Sequence, residues 1–286
     1  MARVLIVGCG YVGTALGQLL SSKGDLVWGL RRDTASLPSC MRPCRADLTV
    51  PETLSNIPSD LDDVVYAVSA DSFDSQSYRQ AYIDGFENLL SVVQTTEGRR
   101  PKRLIYVSST SVYGQVAGEV VNEDSSTSPS RFSGQVMLEG ERLGIGCSIP
   151  TVVVRFGGIY GPGRTRLIEK VLGGATCSAN PVRFTNRIHR DDCAGVLAHL
   201  LRVVSPESVY LAVDDKPAPE CEVMRWLADQ LCVPLTEGSD LAMPPMGPNK
   251  RCFNGRLRAS GYRFIYPTYQ DGYQAVLAGL TPNGGC

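Results

Sequence analysis

Short apolar segments alternate with amphipathic stretches along the first two thirds of the chain. The apolar segments are rich in valine, isoleucine and leucine, which is typical of strands in a sheet covered on both faces. The stretches between them have helical spacing, and this alternation predicts parallel strands joined by crossover helices. The predicted strands are Arg3–Val7, Leu26–Leu30, Val64–Val68, Arg103–Ser108, Thr151–Phe156 and Ser208–Val213. The predicted helices are Gly13–Ser22, Ser77–Thr96, Arg131–Gly144 and Glu220–Leu231.

The last third of the chain has a different pattern. Glycine and proline cluster at Gly157–Gly163, Gly173–Pro181 and Met243–Pro248, and such clusters mark loops. At about 150 residues per domain, a chain of 286 residues is expected to form two units, or one large α/β domain with an appendage. The scattered prolines and the short helix predict that the C-terminal third is a smaller cap.

Composition narrows the classes of partner. The net charge of −1 argues against nucleic acid or an anionic membrane surface, since both attract a basic protein. The apolar runs are too short for a membrane span or a signal peptide, so we expect a cytoplasmic protein with mostly reduced cysteines. Only Cys40 and Cys44 with His189 and Cys193 suggest a metal cluster. Their spacing lacks the paired pattern of zinc sites, and no metal site is predicted.

A glycine motif follows the first predicted strand. Residues 3–13 read RVLIVGCGYVG, with Gly8, Gly10 and Gly13 in the pattern GxGxxG before a helix. In this context Gly8 permits a tight turn, Gly10 lets the backbone approach a pyrophosphate, and Gly13 lets helix and strand pack closely. The N-terminus of the helix then faces the phosphates. The alternative is a turn that serves packing alone.

The end of the second strand bears on the choice of dinucleotide. An acidic residue there would bind the ribose 2′-hydroxyl of NAD. The chain instead has Arg31 and Arg32, whose guanidinium groups suit a 2′-phosphate, and Asp33 only afterwards. We therefore favour NADP over NAD, the alternative being that both arginines are solvated. Asp47 and Leu48 are candidates for the adenine side.

Four further segments carry a family resemblance. They read YIDGFENLL (82–90), LIYVSSTSVYG (104–114), RFGGIYGPGR (155–164) and NRIHRDDCAG (186–195). Together they resemble the extended short-chain dehydrogenase/reductases, in particular the NAD-dependent epimerase/dehydratase branch. The resemblance implies a doubly wound parallel sheet, the Rossmann fold, with a small C-terminal substrate domain. It also implies a homodimer formed through the helices near 77–96 and 131–146.

The resemblance assigns ranges and cofactor contacts. The dinucleotide-binding domain is expected over 1–156 with a contribution from about 186–213, and the substrate-binding cap mainly over 157–286. The glycine motif and the ends of the predicted strands give the expected contacts with NADP. These residues are Gly8, Gly10, Tyr11, Val12, Gly13, Arg31, Arg32, Asp47, Leu48, Ala67, Val68, Ser69, Val107 and Ser108.

The chain departs from the family at the catalytic residues. Ser109 falls at the family's catalytic Ser/Thr position, and Ser111 lies nearby. The family's Tyr-x-x-x-Lys pair, in which lysine lowers the pKa of a proton-shuttling tyrosine, is absent. Ser133 and Met137 occupy the matching positions. The chain is therefore interpreted as an atypical member without the standard proton relay.

Another group would have to supply the proton. Tyr113 is the nearest phenol to Ser109 and would need a cationic neighbour such as Arg155 to lower its pKa. His189 is the next candidate. The alternative is that SSTSVYG is only a polar strand end whose hydroxyls cap backbone groups.

Glycines and basic residues downstream are candidates for the substrate side. The tentative substrate contacts are Arg155, Gly157, Gly158, Arg164 and His189. Together with these, Arg187 and Arg190 are candidates for gripping an acidic or phosphorylated ligand. For any one arginine, solvation or pairing with Asp191 or Asp192 is an equally good interpretation.

These observations favour one function over two others. The first is an NADP-dependent oxidoreductase or epimerase/dehydratase-like enzyme for a small polar metabolite, sugar-like by the resemblance alone. The second is a catalytically silent NADP-binding sensor or scaffold. The third is a non-redox isomerase or lyase that uses the cofactor structurally.

Overall fold

The computed structural model describes residues 1–95, 100–178, 180–236, 238 and 247–280. The strands are β1 (Arg3–Val7), β2 (Leu26–Arg31), β3 (Arg42–Arg45), β4 (Asp63–Tyr66), β5 (Arg103–Ser109), β6 (Glu119–Val121), β7 (Thr151–Phe156), β8 (Gly158–Tyr160), β9 (Phe184–Thr185), β10 (Arg187–His189), β11 (Val209–Ala212), β12 (Ala218–Pro219) and β13 (Lys250–Cys252). The helices are α1 (Tyr11–Ser22), α2 (Ser75–Arg79), α3 (Gly85–Thr95), α4 (Phe132–Gly146), α5 (Arg166–Leu172), α6 (Arg190–Leu200), α7 (Glu220–Leu231), α8 (Gly255–Ala259) and α9 (Tyr269–Leu280). A π-helical turn, Gln80–Asp84, joins α2 to α3.

Seven parallel strands form one sheet in the order β11-β7-β5-β4-β1-β2-β3. The chain starts in the middle at β1, proceeds outward to β3, and then returns to build the other half from β4. This order is the doubly wound Rossmann arrangement, and it confirms the predicted fold class. In such sheets ligands bind at the carboxyl ends of the strands, where the order reverses, which here is between β1 and β4.

The strands are apolar throughout because both faces of the sheet are covered. In β1, Val4 and Ile6 belong to a core that includes α1 and α6. Leu5 and Val7 face the opposite core, which includes α3. All four side chains are fully buried, so successive residues of one strand contribute to two different layers.

A third apolar cluster lies in the C-terminal part of the chain. It is formed mainly by α5, α7 and α9, with Tyr160, Met224 and Tyr273 among its buried members. Three short pairs of strands lie outside the main sheet: β8 with β10, β9 with β12 and β6 with β13. Among the described residues, no helix is both long and apolar enough to cross a membrane.

Most predicted elements are present with small differences in their bounds. β1, β7 and α7 begin and end where the sequence predicts, whereas β4 ends at Tyr66, so Val68 lies beyond the strand. The predicted loop Gly157–Gly163 contains β8, which has only three residues. Thr96, in the second predicted helix, and residues 243–246 of the last predicted loop lie outside the described residues.

One pair of cysteines is an exception to the expectation of mostly reduced thiols. Cys177 and Cys221 form a disulfide, with their Cα atoms 5.2 Å apart. The free thiols of Cys9, Cys44 and Cys193 are buried, as expected for cysteines that pack as small apolar side chains. Among the described residues, no group of three or more His, Cys, Asp or Glu side chains is placed to hold a metal ion.

Candidate functional site

A cleft of about 910 Å³ opens at the carboxyl ends of the strands. The segments that follow β1, β2, β3, β4, β5 and β7 all contribute to its walls. These segments meet because parallel strands end at the same edge of the sheet. Every predicted cofactor residue except Gly13 lines this cleft.

The glycine turn leaves room for a ligand at the N-terminus of α1. Gly8 has φ +92°, and a Cβ atom there would lie 2.6 Å from the Ala67 oxygen, so only glycine fits this turn. Gly13 is a packing residue, since its Cβ would lie 2.3 Å from the Gly8 oxygen.

Gly10 is different. A Cβ added at Gly10 would meet nothing within 4 Å, and no side chain caps the helix at this position. Open space therefore faces the positive end of α1, and this arrangement fits a pyrophosphate.

Arginines lie on one side of the cleft, after β2. The half-buried Arg31 donates from Nη1 to the Cys9 oxygen over 3.3 Å. Arg32 is exposed and donates both terminal nitrogens to Asp71, over 2.8 and 2.7 Å. This pairing lowers the pKa of Asp71. Asp47 accepts from the backbone and hydroxyl of Thr49, so its carboxylate is satisfied locally.

Ser109 and Ser111 lie at the end of β5 and line the cleft. The Ser109 hydroxyl accepts a hydrogen bond of 3.1 Å from the Ser111 N–H and caps a short 3₁₀ turn. Ser133 and Met137 on α4 line the same cleft. α4 reads FSGQVMLEGERLGIG, so this helix offers neither a tyrosine nor a lysine.

Tyr113 does not reach the cleft. Its side chain is 0 % exposed, and its hydroxyl donates to the Asn122 oxygen over 2.8 Å. The cationic neighbour that its predicted role required is present, because Arg155 Nη1 donates to this hydroxyl over 2.8 Å. Burial nevertheless outweighs that charge and raises the pKa of Tyr113 to about 12. The placement and the pKa both argue against Tyr113 as the proton donor.

Arg155 is a buried structural residue and does not line the cleft. Its guanidinium forms a two-pronged ion pair with Glu141, with contacts of 2.9 and 2.6 Å. The Ser108 hydroxyl donates to the same carboxylate over 2.5 Å. The predicted substrate role of Arg155 is therefore corrected: its charge is used to tie β7 to α4.

His189 is also enclosed. It is 2 % exposed, its Nδ1 accepts from the Asp191 N–H, and its ring packs on Tyr266 at 4.1 Å between centroids. Burial lowers the pKa of the imidazole, so a neutral ring is favoured. Of the tentative substrate contacts, only Gly157, Gly158 and Arg164 line the cleft.

Lys250 is a lining residue that sequence reasoning missed. It lies on β13, is 6 % exposed and lines the cleft. Its Nζ donates to the Tyr113 oxygen over 3.1 Å, and burial lowers the pKa of the amine. No local pattern marks Lys250, because contacts with segments distant in the sequence, among them the pairing of β13 with β6, bring it to the cleft.

Aromatic side chains form another part of the cleft that the sequence did not predict. Phe73, Tyr78 and Tyr82 line it, and Phe73 packs against Tyr78 and Phe132 with ring centroids 5.5 and 5.2 Å apart. Phe73 is 69 % exposed. These rings therefore give one wall of the cleft an apolar surface.

Comparison with known proteins agrees with this architecture. Residues 4–185 match the NAD dependent epimerase/dehydratase family. The structure of a putative NAD-dependent epimerase/dehydratase from Methylobacillus flagellatus is 34% identical, with a TM-score of 0.79 and 98% of each chain covered.

Two more distant structures share the fold. The Thermus thermophilus UDP-glucose 4-epimerase, solved with NAD, is 19% identical with a TM-score of 0.79, covering 96% of this chain and 98% of that one. The human epimerase family protein SDR39U1, solved with NADPH, is 20% identical with a TM-score of 0.79, covering 96% of this chain and 99% of that one. The family match over most of the sheet and the 34% identity over nearly the whole chain give one conclusion. This chain belongs to the NAD-dependent epimerase/dehydratase family.

Proposed function

We propose that the protein is an NADP(H)-dependent oxidoreductase for a small polar metabolite. The observation that carries the proposal is the open space over Gly10 at the N-terminus of α1, with Arg31 and Arg32 on the same cleft. The glycine turn would hold the pyrophosphate and the arginines the 2′-phosphate. When bound, the nicotinamide would donate or accept a hydride.

The preference for NADP follows from charge. An exposed carboxylate that binds a ribose diol is absent from the end of β2, since Arg31 ends that strand. Asp33 lines the cleft, but its Oδ1 accepts from the Ala35 N–H over 2.9 Å. In this proposal Arg32 exchanges its ion pair with Asp71 for the phosphate, and because both side chains are exposed that pair contributes little. Two guanidinium groups beside a phosphate then give charge-assisted hydrogen bonds, which a hydroxyl cannot match.

Lys250 is our candidate for the group that handles the proton. The lowered pKa makes its ammonium a better acid near neutral pH than an exposed lysine. Ser109, on the same cleft, would hold the substrate oxygen by a hydrogen bond. In this proposal Lys250 gives a proton to that oxygen when a carbonyl is reduced and takes one back in the reverse direction.

Residues 157–286, apart from 186–213, would form the substrate-binding cap.

The second candidate function is a dinucleotide-binding sensor that does not catalyse, and α4 favours it because this helix has no tyrosine or lysine. The two functions differ in turnover but not in cofactor binding.

A turnover experiment separates them. NADPH is incubated with the full-length protein and a panel of small carbonyl metabolites, and absorbance of the reduced nicotinamide is followed. The oxidoreductase predicts oxidation of NADPH that depends on one class of substrate. Tight NADPH binding without turnover across the panel would support the sensor, and failure to bind either dinucleotide would contradict both.

A further inference from the structure

A second cavity of about 850 Å³ adjoins the cleft. The two share Thr110, Gly158, Ile159 and Arg164 in their walls, so they lie side by side. The second cavity extends away from the glycine turn, toward α5 and α7. This position suits the part of a substrate that does not react.

Arg187 lies in the wall of this cavity with a hydrogen-bonding group unused. The residue is 7 % exposed, and its Nη1 has no hydrogen-bond partner within the described part of the chain. Its guanidinium lies 5.9 Å from the centre of the Tyr269 ring and close to the Tyr273 hydroxyl. Burying a cation without a counter-ion is costly, so an unpaired guanidinium in a cavity wall points to an anionic ligand.

Asp214, a buried carboxyl near enough to feel the charge of Arg187, does not fill that need. Asp214 Oδ1 accepts from the Lys216 N–H over 3.1 Å, whereas Oδ2 has no partner among the described residues. No carboxylate of the described ranges forms an ion pair with Arg187 within 4.0 Å. Burial also favours the neutral form of Asp214, because it raises the pKa of that carboxyl to about 7.

Tyr160, which also lines the cavity, carries a second unused donor. The Tyr160 hydroxyl is buried and has no partner in the described part of the molecule. Its ring is held by stacking on Tyr273, with centroids 4.4 Å apart. A guanidinium N–H and a phenol O–H are the donors that carboxylate and phosphate oxygens accept from.

The rim of the cavity is basic. Arg164, Arg166 and Lys170 line it together with the carboxylates of Glu169 and Glu220. Both carboxylates already have partners, since Thr165 donates to Glu169 over 2.6 Å and Lys170 to Glu220 over 2.8 Å. With Arg187, four basic and two acidic side chains line the cavity, so the net charge of its walls is positive and favours an anion.

We propose that the second cavity binds a carboxylate or phosphate group of the substrate, with Arg187 and Tyr160 as its donors. The substrate class is thus a small anionic metabolite whose reactive carbon reaches the adjoining cleft. The word substrate rests on the proposed enzyme function, but anion binding at this site requires no dinucleotide. The two proposals therefore fail independently.

The test measures the thermal stability of the dinucleotide-free protein against increasing inorganic phosphate or acetate. Potassium chloride at matched ionic strength is the reference. A ligand that binds only the folded state raises the Tm, so we expect phosphate, acetate or both to raise it beyond chloride. The two salts separate a phosphate group from a carboxylate as the natural ligand.

Two variants assign the effect to the site. Arg187→Met is expected to weaken the anion response at least about tenfold, and without anions it is expected to be no less stable than the wild type. Tyr160→Phe keeps the stacked ring and is expected to weaken the response by a smaller factor. Arg142→Met, at an exposed arginine of α4, is the control and should leave the response unchanged.

Two results would overturn the proposal. One is a wild-type Tm that responds to phosphate and acetate no more than to chloride. The other is an equal anion response in the wild type and Arg187→Met. If Arg187→Met does not fold, an unchanged response in Tyr160→Phe overturns the proposal in its place.

Discussion

Lys250 donates a hydrogen bond to the backbone oxygen of Tyr113. Of these two residues, only Lys250 lines the cleft. The spacing of Tyr113 from Ser109 suggests proximity to the reacting atoms. The intervening 3₁₀ turn, Thr110–Val112, redirects the chain, and the ring of Tyr113 enters an apolar cluster with Met137. Sequence spacing therefore identifies a strand end that lines the cleft, but not the direction of the side chains after it.

The proposal that Lys250 is the proton donor is tested by substituting Lys250 and Tyr113 separately. Lys250→Met should lower turnover with NADPH by about a hundredfold or more, because acid catalysis contributes about that much, while NADPH affinity stays within about threefold. Lys250→Arg keeps the charge but holds its proton too tightly to give it up, so turnover should stay low. Tyr113→Phe should keep turnover within about threefold.

The control for that series is Lys102→Met, at an exposed lysine paired with Asp62. A large loss of turnover in Tyr113→Phe with full activity in Lys250→Met would reverse the assignment.

The buried ion pair makes a prediction about stability. Glu141→Gln leaves the Arg155 guanidinium buried without a counter-charge and should lower the free energy of unfolding by about 3–5 kcal/mol. Glu139→Gln, at an exposed neighbour on the same helix, should change it by less than about 0.5 kcal/mol. Urea denaturation measures both. A Glu141→Gln protein as stable as the wild type would show that the pair contributes nothing.

At the scale of secondary structure, apolar strands could be predicted and polar ones could not. β1 and β7 are runs of valine, isoleucine and leucine with an unambiguous pattern. β3 reads RPCR and lies at the edge of the sheet, where it pairs only with β2; its polar sequence carries no strand signal. β6 and β13 have three residues each, and their pairing joins segments as far apart in the sequence as Glu119 and Lys250.

The glycine motif is the element whose proposed role is clearest from the sequence, because that role depends on the backbone. Gly10→Ala adds a methyl group at the N-cap of α1, where nothing lies within 4 Å. We expect folding to change by no more than about 1 kcal/mol. Dinucleotide affinity should fall at least about tenfold, because the methyl group occupies the space over the helix N-terminus. Calorimetric titration measures the affinity.

Gly146→Ala is the matched control, since its Cβ also meets nothing within 4 Å but the residue ends α4, away from the cleft. Unchanged dinucleotide affinity in Gly10→Ala would mean that the turn serves packing only.

At the scale of the whole molecule, the sheet and the C-terminal elements build two adjoining cavities from distant segments. Lys250 reaches the cleft from β13, and Arg187 reaches the second cavity from β10. Neither placement could be read from local periodicity. The predicted cofactor residues other than Gly13 line one cleft because the segments after parallel strands meet at the carboxyl edge of a doubly wound sheet.

The buried Asp214 gives the whole protein a predicted pH dependence. Its folded pKa of about 7 lies above the ordinary value of 3.8, so the folded state binds a proton more tightly than the unfolded state. Asp214 therefore reduces stability progressively as pH rises from about 4 to about 7, and the penalty is complete above that. Asp214→Asn should increase stability near pH 8 and remove this part of the pH dependence.

Urea denaturation at several pH values measures the effect, with the exposed Asp229→Asn as control. A wild type and an Asp214→Asn variant with parallel stability curves from pH 5 to pH 8 would contradict the raised pKa.

Calorimetric titration of the full-length protein with NADPH and with NADH tests the central claim most directly. Arg31 and Arg32 should make NADPH bind about ten- to a hundredfold more tightly. The double variant Arg31→Ala, Arg32→Ala should reduce that ratio to about threefold or less, whereas Arg45→Ala, at an exposed arginine of β3, should leave it unchanged. Equal affinity of the wild type for the two dinucleotides, or tighter binding of NADH, would contradict the account.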